Sequence, residues 1–257
     1  MTNRPIIIAH RGESYDAPEN TLASINLAWQ RNTDAVEVDV HLSGDNRIIV
    51  IHDGNTSRTS GIYKKVSTQA YNSLRQLDVG SFKGNQWKDQ RIPLLEEVLE
   101  TVPAGKKIFI EIKCGREIIP YLGKDIEKSK LSSEQIKIIG FNLKTISEVK
   151  KYFSSSQVFW LRNAESSRLR FWKINKDEII SSTLANRLDG LDLKSNKLID
   201  QDLIDRIKSE GLKLFVWTVN DYEEARRLLM LGVDGITTDR AQWMKERLLM
   251  KEFYSLG

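Results

Sequence analysis

The stretch VEVDVHLSGDNRIIVIHD, residues 36–53, decides how the chain folds. Two apolar, β-branched runs flank SGDN, a turn sequence that leaves no room for a helix. Read as a hairpin with a four-residue loop, Leu42 lies opposite Arg47, Asp39 opposite Val50, and Glu37 opposite His52. Residues 37, 39 and 52 then share one face of the ribbon, although a loop of another length would shift that register. Similar runs recur along the rest of the chain: PIIIAH, KIFIEIK, IKIIGF, QVFWL, GLDLK, KLFVWTV and DGITTD. With AVEVDVHL and RIIVIHD they make nine candidate strands, one too many for an eight-stranded barrel. Taking RIIVIHD as a side ribbon leaves eight, and the expected fold is an α/β (β/α)8 TIM barrel.

Amphipathic segments fall between most of the runs. TLASINLAWQ sets Leu22, Ile25 and Trp29 on one helical face, and LKTISEVKKYF does the same with Leu143, Ile146, Val149 and Phe153. NDYEEARRLLMLG starts with Asn220 as N-cap and Glu223 three residues on, and stops at Gly232. Residues 54–91 break the rhythm, being rich in Gly, Ser, Asn and Lys with few periodic apolar positions. They read as a small insertion near the C-terminal mouth within a single domain spanning 1–257.

Composition narrows the function classes. Forty per cent hydrophobic and 29 per cent charged residues describe a globular chain able to bury a large core. The net charge of +4 comes from bases scattered among nearly as many acids, which argues against nucleic acid as a partner. The densest basic-aromatic patch is Arg168, Arg170, Phe171, Trp172 and Lys173, read as a helix with one buried face. One cysteine, Cys114, builds no disulfide framework, and no apolar run is long enough to span a bilayer. A cytoplasmic protein, monomeric or homodimeric, is expected.

In such a barrel, chemistry sits at the C-terminal ends of the strands. The first strand ends in His10-Arg11, the second carries Glu37 and Asp39, and another ends in Glu111-Ile112-Lys113. Singly, each has a plain structural reading: a solvated strand edge, an ion pair, a core histidine. Their coincidence at one end of the barrel is what points to function. Residues two apart on a strand aim the same way, so three carboxylates converge, and a hard divalent cation such as Mg2+ or Ca2+ relieves their repulsion. Two histidines beside them suit acid-base cleavage of a phosphodiester near neutral pH, with Arg11 and Lys113 binding the phosphoryl oxygens. His41 gets no role.

At these residues the sequence resembles the glycerophosphodiester phosphodiesterase family. The matching pieces are HRG at 10–12, PENT at 18–21, EVDV at 37–40, HD at 52–53 and EIK at 111–113. RIPLLEEVL at 91–99, WTVN at 217–220 and GVDGITTD at 232–239 follow in order, so the likeness runs nearly end to end. It implies one divalent cation held by Glu37, Asp39 and Glu111, with His10 and His52 as the acid-base pair. It also implies phosphate contacts from Arg11 and Lys113, bracing by Glu19 and Asn20, and Trp217 as a wall for the glycerol. The implied reaction releases sn-glycerol 3-phosphate and an alcohol from a glycerophosphodiester. Attack by the neighbouring glycerol hydroxyl, giving a cyclic phosphate that water opens, is one route to those products. A silent, ligand-binding barrel should have lost a histidine or a metal carboxylate, and none is missing. Two departures stand out: Glu13 and Asp16 are expected to add negative charge near the mouth, and Leu94 replaces a Thr N-cap at a cost of ~1 kcal/mol.

Overall fold

The computed structural model describes residues 4–163 and 175–254. All nine expected strands form: β1 (Ile6–His10), β2 (Ala35–Leu42), β3 (Ile48–Val50), β4 (Lys107–Ile112), β5 (Ile136–Gly140), β6 (Gln157–Arg162), β7 (Gly190–Lys194), β8 (Lys213–Trp217) and β9 (Gly235–Thr238). Eight of them run parallel in the order β1-β9-β8-β7-β6-β5-β4-β2, and pairing of β1 with β2 closes a (β/α)8 barrel. β3 is the exception, lying antiparallel on β2. Its place follows from strand length. β1 pairs with β2 only as far as Glu37, so the longer β2 has a free edge beyond it, which β3 covers at residues 40–42.

The register of that ribbon differs from the expected one. Val40 faces Val50, His41 faces Ile49 and Leu42 faces Ile48, one residue away from the four-residue-loop reading. The turn is tighter: Ser43 donates its N–H to the Arg47 carbonyl, and Asn46 takes φ +60°, the left-handed corner of a three-residue loop. In this register His52 would continue on the face away from Glu37 and Asp39. The ribbon stops before that happens. Its last rung is Ile51 N–H to the Asp39 carbonyl, after which the chain bends at His52.

Helices cover the barrel between strands: α1 (Leu22–Gln30), the short α2 (Ser57–Ser60), α3 (Tyr71–Arg75) and α4 (Leu95–Leu99), then α5 (Ile119–Ser129), α6 (Leu143–Tyr152), α7 (Lys176–Ala185), α8 (Gln201–Ser209), α9 (Tyr222–Leu231) and α10 (Ala241–Tyr254). Outward strand residues such as Val36, Val38 and Ile110 pack against helix residues such as Ile25, Leu95 and Leu122. The barrel interior is a separate, aromatic plug of Phe109, Phe159 and Phe215, with ring centroids 5.0–6.3 Å apart. It closes the floor beneath the mouth. Residues 54–91 have an apolar centre of their own, where Val66, Tyr71, Leu74, Leu77 and Val79 pack on Ile49 and Ile51 of the ribbon.

Two caps differ from the expectations. Asp221, not Asn220, caps α9 by accepting from Glu224 N–H, and Gly232 ends that helix in the left-handed region as expected. Leu94 does precede α4 without a side-chain acceptor, but it is buried in the apolar centre of residues 54–91, and Glu97 accepts its N–H at 2.7 Å. The patch from Arg168 to Lys173 lies outside the described residues.

Candidate active site

Everything at the mouth starts from how β1 ends. Arg11 (φ +56°) and Gly12 (φ +79°) both turn left-handed directly after His10. A Cβ on Gly12 would sit 2.5 Å from the Ser24 carbonyl carbon, so only glycine lets α1 approach this closely. The turn aims the Arg11 N–H at Glu37 Oε2 (3.0 Å) and its guanidinium at Asp39 Oδ2 (3.0 Å) and Glu19 Oε1 (2.9 Å). Asn20, also left-handed, donates to Asp39 Oδ2 (2.8 Å) and accepts the Asp39 N–H (3.1 Å).

Glu37, Asp39 and Glu111 converge as the strand alternation requires. Their ligand atoms lie within 4.8 Å of one another, and all three are buried. Lys113 reaches in from β4's end, its Nζ 2.6 Å from Glu111 Oε1 and 3.1 Å from Asp39 Oδ1. Two cations therefore face three carboxylates, and the imbalance shows in their acidities. Burial, then the charges of Asp39 and Glu111, pushes Glu37 well above the usual carboxylate range. Burial and Asp39 push Glu111 up to about 7. Asp39 is buried too, yet Lys113 and Arg11 hold it well below its ordinary value. Glu37 Oε1 is buried with no hydrogen-bond partner. A buried, partnerless carboxylate oxygen beside two more carboxylates fits a hard cation, so the triad can hold one.

The two histidines flank this cluster, each with Nδ1 on a carboxylate. His10 Nδ1 donates to Asp239 Oδ1 at 2.6 Å, which leaves Nε2 turned inward, 4.0 Å from Glu37 Oε2. Asp239 is tied in turn by Asn220 and Ser14, and although burial works against it, His10 first and then these two bonds keep its pKa down at about 2. His52 Nδ1 donates to Asp53 Oδ1 at 2.8 Å. His52 is delivered by the bend after the ribbon, not by the ribbon's register, and His41 Nε2 donates to the His52 carbonyl to fix that bend (3.1 Å). Burial lowers the pKa of both His52 and His41. Trp217 stands on the opposite wall at the end of β8, edge-to-face with Phe141 at 5.6 Å.

Glu13 and Asp16 do not charge the mouth. Glu13 is buried against the start of α10, accepting from Gln242 N–H, and both carboxylates pair with Arg31. Sequence reasoning missed four participants. Asp239, in the TTD motif, and Asn220 lie far along the chain from His10, and only barrel closure joins them. Arg58 on α2 forks across Glu19 (2.7 and 2.8 Å) and Asp53 (2.6 Å), so residues 54–91 reach into the site. Asp192 sits fully buried on β7, its Oδ1 without a partner and its pKa pushed well up by burial and then by Glu111. The one available signal was its place between Leu191 and Leu193, which turns it inward.

Comparison with known proteins agrees with this geometry. The model of the glycerophosphoryl diester phosphodiesterase family matches residues 10–242. A glycerophosphodiester phosphodiesterase of Caldanaerobacter subterraneus is 32% identical over 92% of this chain and 94% of its own. Human lysophospholipase D GDPD1 is 28% identical over 90% of this chain and 82% of its own. An Oleispira antarctica phosphodiesterase, solved with its product sn-glycerol 3-phosphate, superposes with a TM-score of 0.85 at 28% identity, covering 95% of this chain and 96% of the other. The chain therefore belongs to the glycerophosphodiester phosphodiesterase family and is an enzyme of the phosphoric diester hydrolases.

Proposed function

We propose that this chain hydrolyses glycerophosphodiesters to sn-glycerol 3-phosphate and an alcohol at the mouth formed by β1, β2 and β4. The observation that carries the reading is two histidines, each held at Nδ1 by its own carboxylate, on either side of a carboxylate triad with a partnerless Glu37 oxygen. Glu37, Asp39 and Glu111 would hold one divalent cation, Mg2+ or Ca2+. When bound, the cation would supply positive charge to offset the negative charge that builds on the phosphoryl oxygens.

The protein groups do the rest. Because Asp239 and Asp53 accept hydrogen bonds from the Nδ1–H groups, the Nε2 atoms of His10 and His52 are left to accept and return a proton at the attacking and leaving oxygens. Arg11 and Lys113, paired with the triad here, turn to the phosphoryl oxygens as charge-assisted donors. Glu19 and Asn20 brace Arg11 and Asp39, and Trp217 with Phe141 offers an apolar wall to the glycerol backbone. The reading includes one domain over 1–257 with residues 54–91 as an insertion at the mouth, and a cytoplasmic monomer or homodimer. No helix among the described residues is long and apolar enough to cross a membrane.

The test is release of sn-glycerol 3-phosphate from glycerophosphocholine and glycerophosphoethanolamine, with EDTA and with added Mg2+ or Ca2+. Release with one of the ions and loss with EDTA is expected. No release with either ion would overturn the reading.

A further inference from the structure

We propose that the outer surface of residues 54–91, together with Tyr15, docks on an anionic lipid bilayer. The surface lies on the rim of the mouth. Arg58 joins it to Glu19 and Asp53, and Lys83 Nζ donates to the Ser14 carbonyl at 2.6 Å. That bond joins the segment carrying Phe82 to the one carrying Tyr15, and the turn at 81–83 packs on α2, which Ile62 and Tyr63 follow. All four are exposed: Tyr15 55%, Ile62 53%, Tyr63 70% and Phe82 46%. A single exposed apolar side chain is ordinary, but four gathered on one rim form a patch.

Charge identifies the occupant. Residues 54–91 contain seven lysines and arginines and two aspartates, a surplus of five, whereas the whole chain has a surplus of four. Three of these bases are answered locally, Arg58 by Glu19 and Asp53, Arg75 by Glu97, and Arg91 by Asp89. The lysines are not. Lys64 and Lys83 donate only to neutral oxygens, and Lys65 and Lys88 are exposed with no ion pair among the described residues. Asp78 is the other acid, and its oxygens are taken up by N–H groups and a hydroxyl of the same segment. Exposed aromatic and aliphatic side chains set among uncompensated lysines match the headgroup boundary of an anionic membrane. Nucleic acid would meet the charge but has no use for the aliphatic Ile62.

Docking this way holds the mouth against the headgroup layer. A lysophospholipid, which is a glycerophosphodiester still carrying one acyl chain, would then reach the site from the bilayer; this consequence rests on the hydrolase reading, whereas docking does not. The experiment is flotation of the full chain with vesicles of phosphatidylcholine, or of phosphatidylcholine mixed with phosphatidylglycerol. Binding to the mixed vesicles alone is expected, with release at high salt. Lys65→Gln and Lys88→Gln should each lower partitioning roughly fivefold, and Ile62→Ser, Tyr63→Ser and Phe82→Ser together about tenfold. These variants should hydrolyse soluble glycerophosphocholine as the unmodified chain does. No flotation with mixed vesicles, flotation unaltered in the variants, or tighter binding to an RNA oligonucleotide would overturn the proposal. Absent hydrolysis with intact flotation would overturn only the hydrolase reading.

Discussion

His10 and His52 arrive from different elements yet are held alike, Nδ1 on a carboxylate that is itself bonded to a second side chain. An imidazole fixed in one tautomer accepts a proton at Nε2 without first having to reorient. His10→Ala and His52→Ala should each lower kcat by about 10²–10⁴-fold, while calorimetry finds cation binding unchanged. Wild-type turnover in either variant would remove that histidine from the mechanism. Asp239 touches His10 and no triad member, so Asp239→Asn should lower kcat by about 10²–10⁴-fold and leave KM nearly alone. Glu37→Gln removes the charge of one proposed ligand but keeps the shape, and cation affinity should fall at least about tenfold in the same titration. His10, Glu37 and Glu111 were legible because a polar residue ending or interrupting an apolar strand has few structural uses. Arg58 and Asp239 were not, because their partners lie 39 and 229 residues away and only the closed barrel brings them together.

Local conformation and burial pull against each other at the start of α4. A Thr at position 94 would add a capping acceptor worth ~1 kcal/mol. Leu94 instead fills the apolar centre of residues 54–91, and burying a leucine stabilises by roughly 1.5–3 kcal/mol. Glu97 accepts the N–H of residue 94 whichever side chain stands there, so a Thr would add only its own acceptor for the Glu97 N–H. Leu94→Thr should therefore destabilise the chain by about 1 kcal/mol in urea melts, where a capping argument alone gives the opposite sign. The same competition explains what was readable in the elements. Strand order and the outside position of β3 followed from apolar runs and loop lengths. The hairpin register did not, because SGDN supports a three- or a four-residue loop, and Asn46 in the left-handed region selects the shorter. His52 still reaches the site because β3 ends at Val50 and the bend, pinned by His41, replaces the alternation.

The barrel as a whole keeps three carboxylates at the top of an apolar plug, and the strain of doing so depends on pH. Unfolded, Glu111 titrates near the ordinary 4.5; folded, and without a cation, near 7. The folded chain binds the extra proton across that window, so this group's contribution to stability is complete below 4.5 and is lost as pH rises through 7. Glu37 is displaced in the same direction. His41 and His52, displaced downward, act the other way: their contribution is complete above the ordinary 6.5 and is lost as pH falls below it through their lowered folded values. A melt at one cation concentration would mix these effects. The difference between melts with and without saturating cation separates them, since the histidines contribute to both. A cation must displace the carboxyl protons at acid pH, whereas above 7 it meets an ionised Glu111 and relieves its repulsion. The rise in Tm on adding Mg2+ or Ca2+ should therefore grow from pH 4.5 through 7 as Glu111 ionises. A rise that is flat across that window, or largest at its acid end, would mean that Glu111 is not among the ligands.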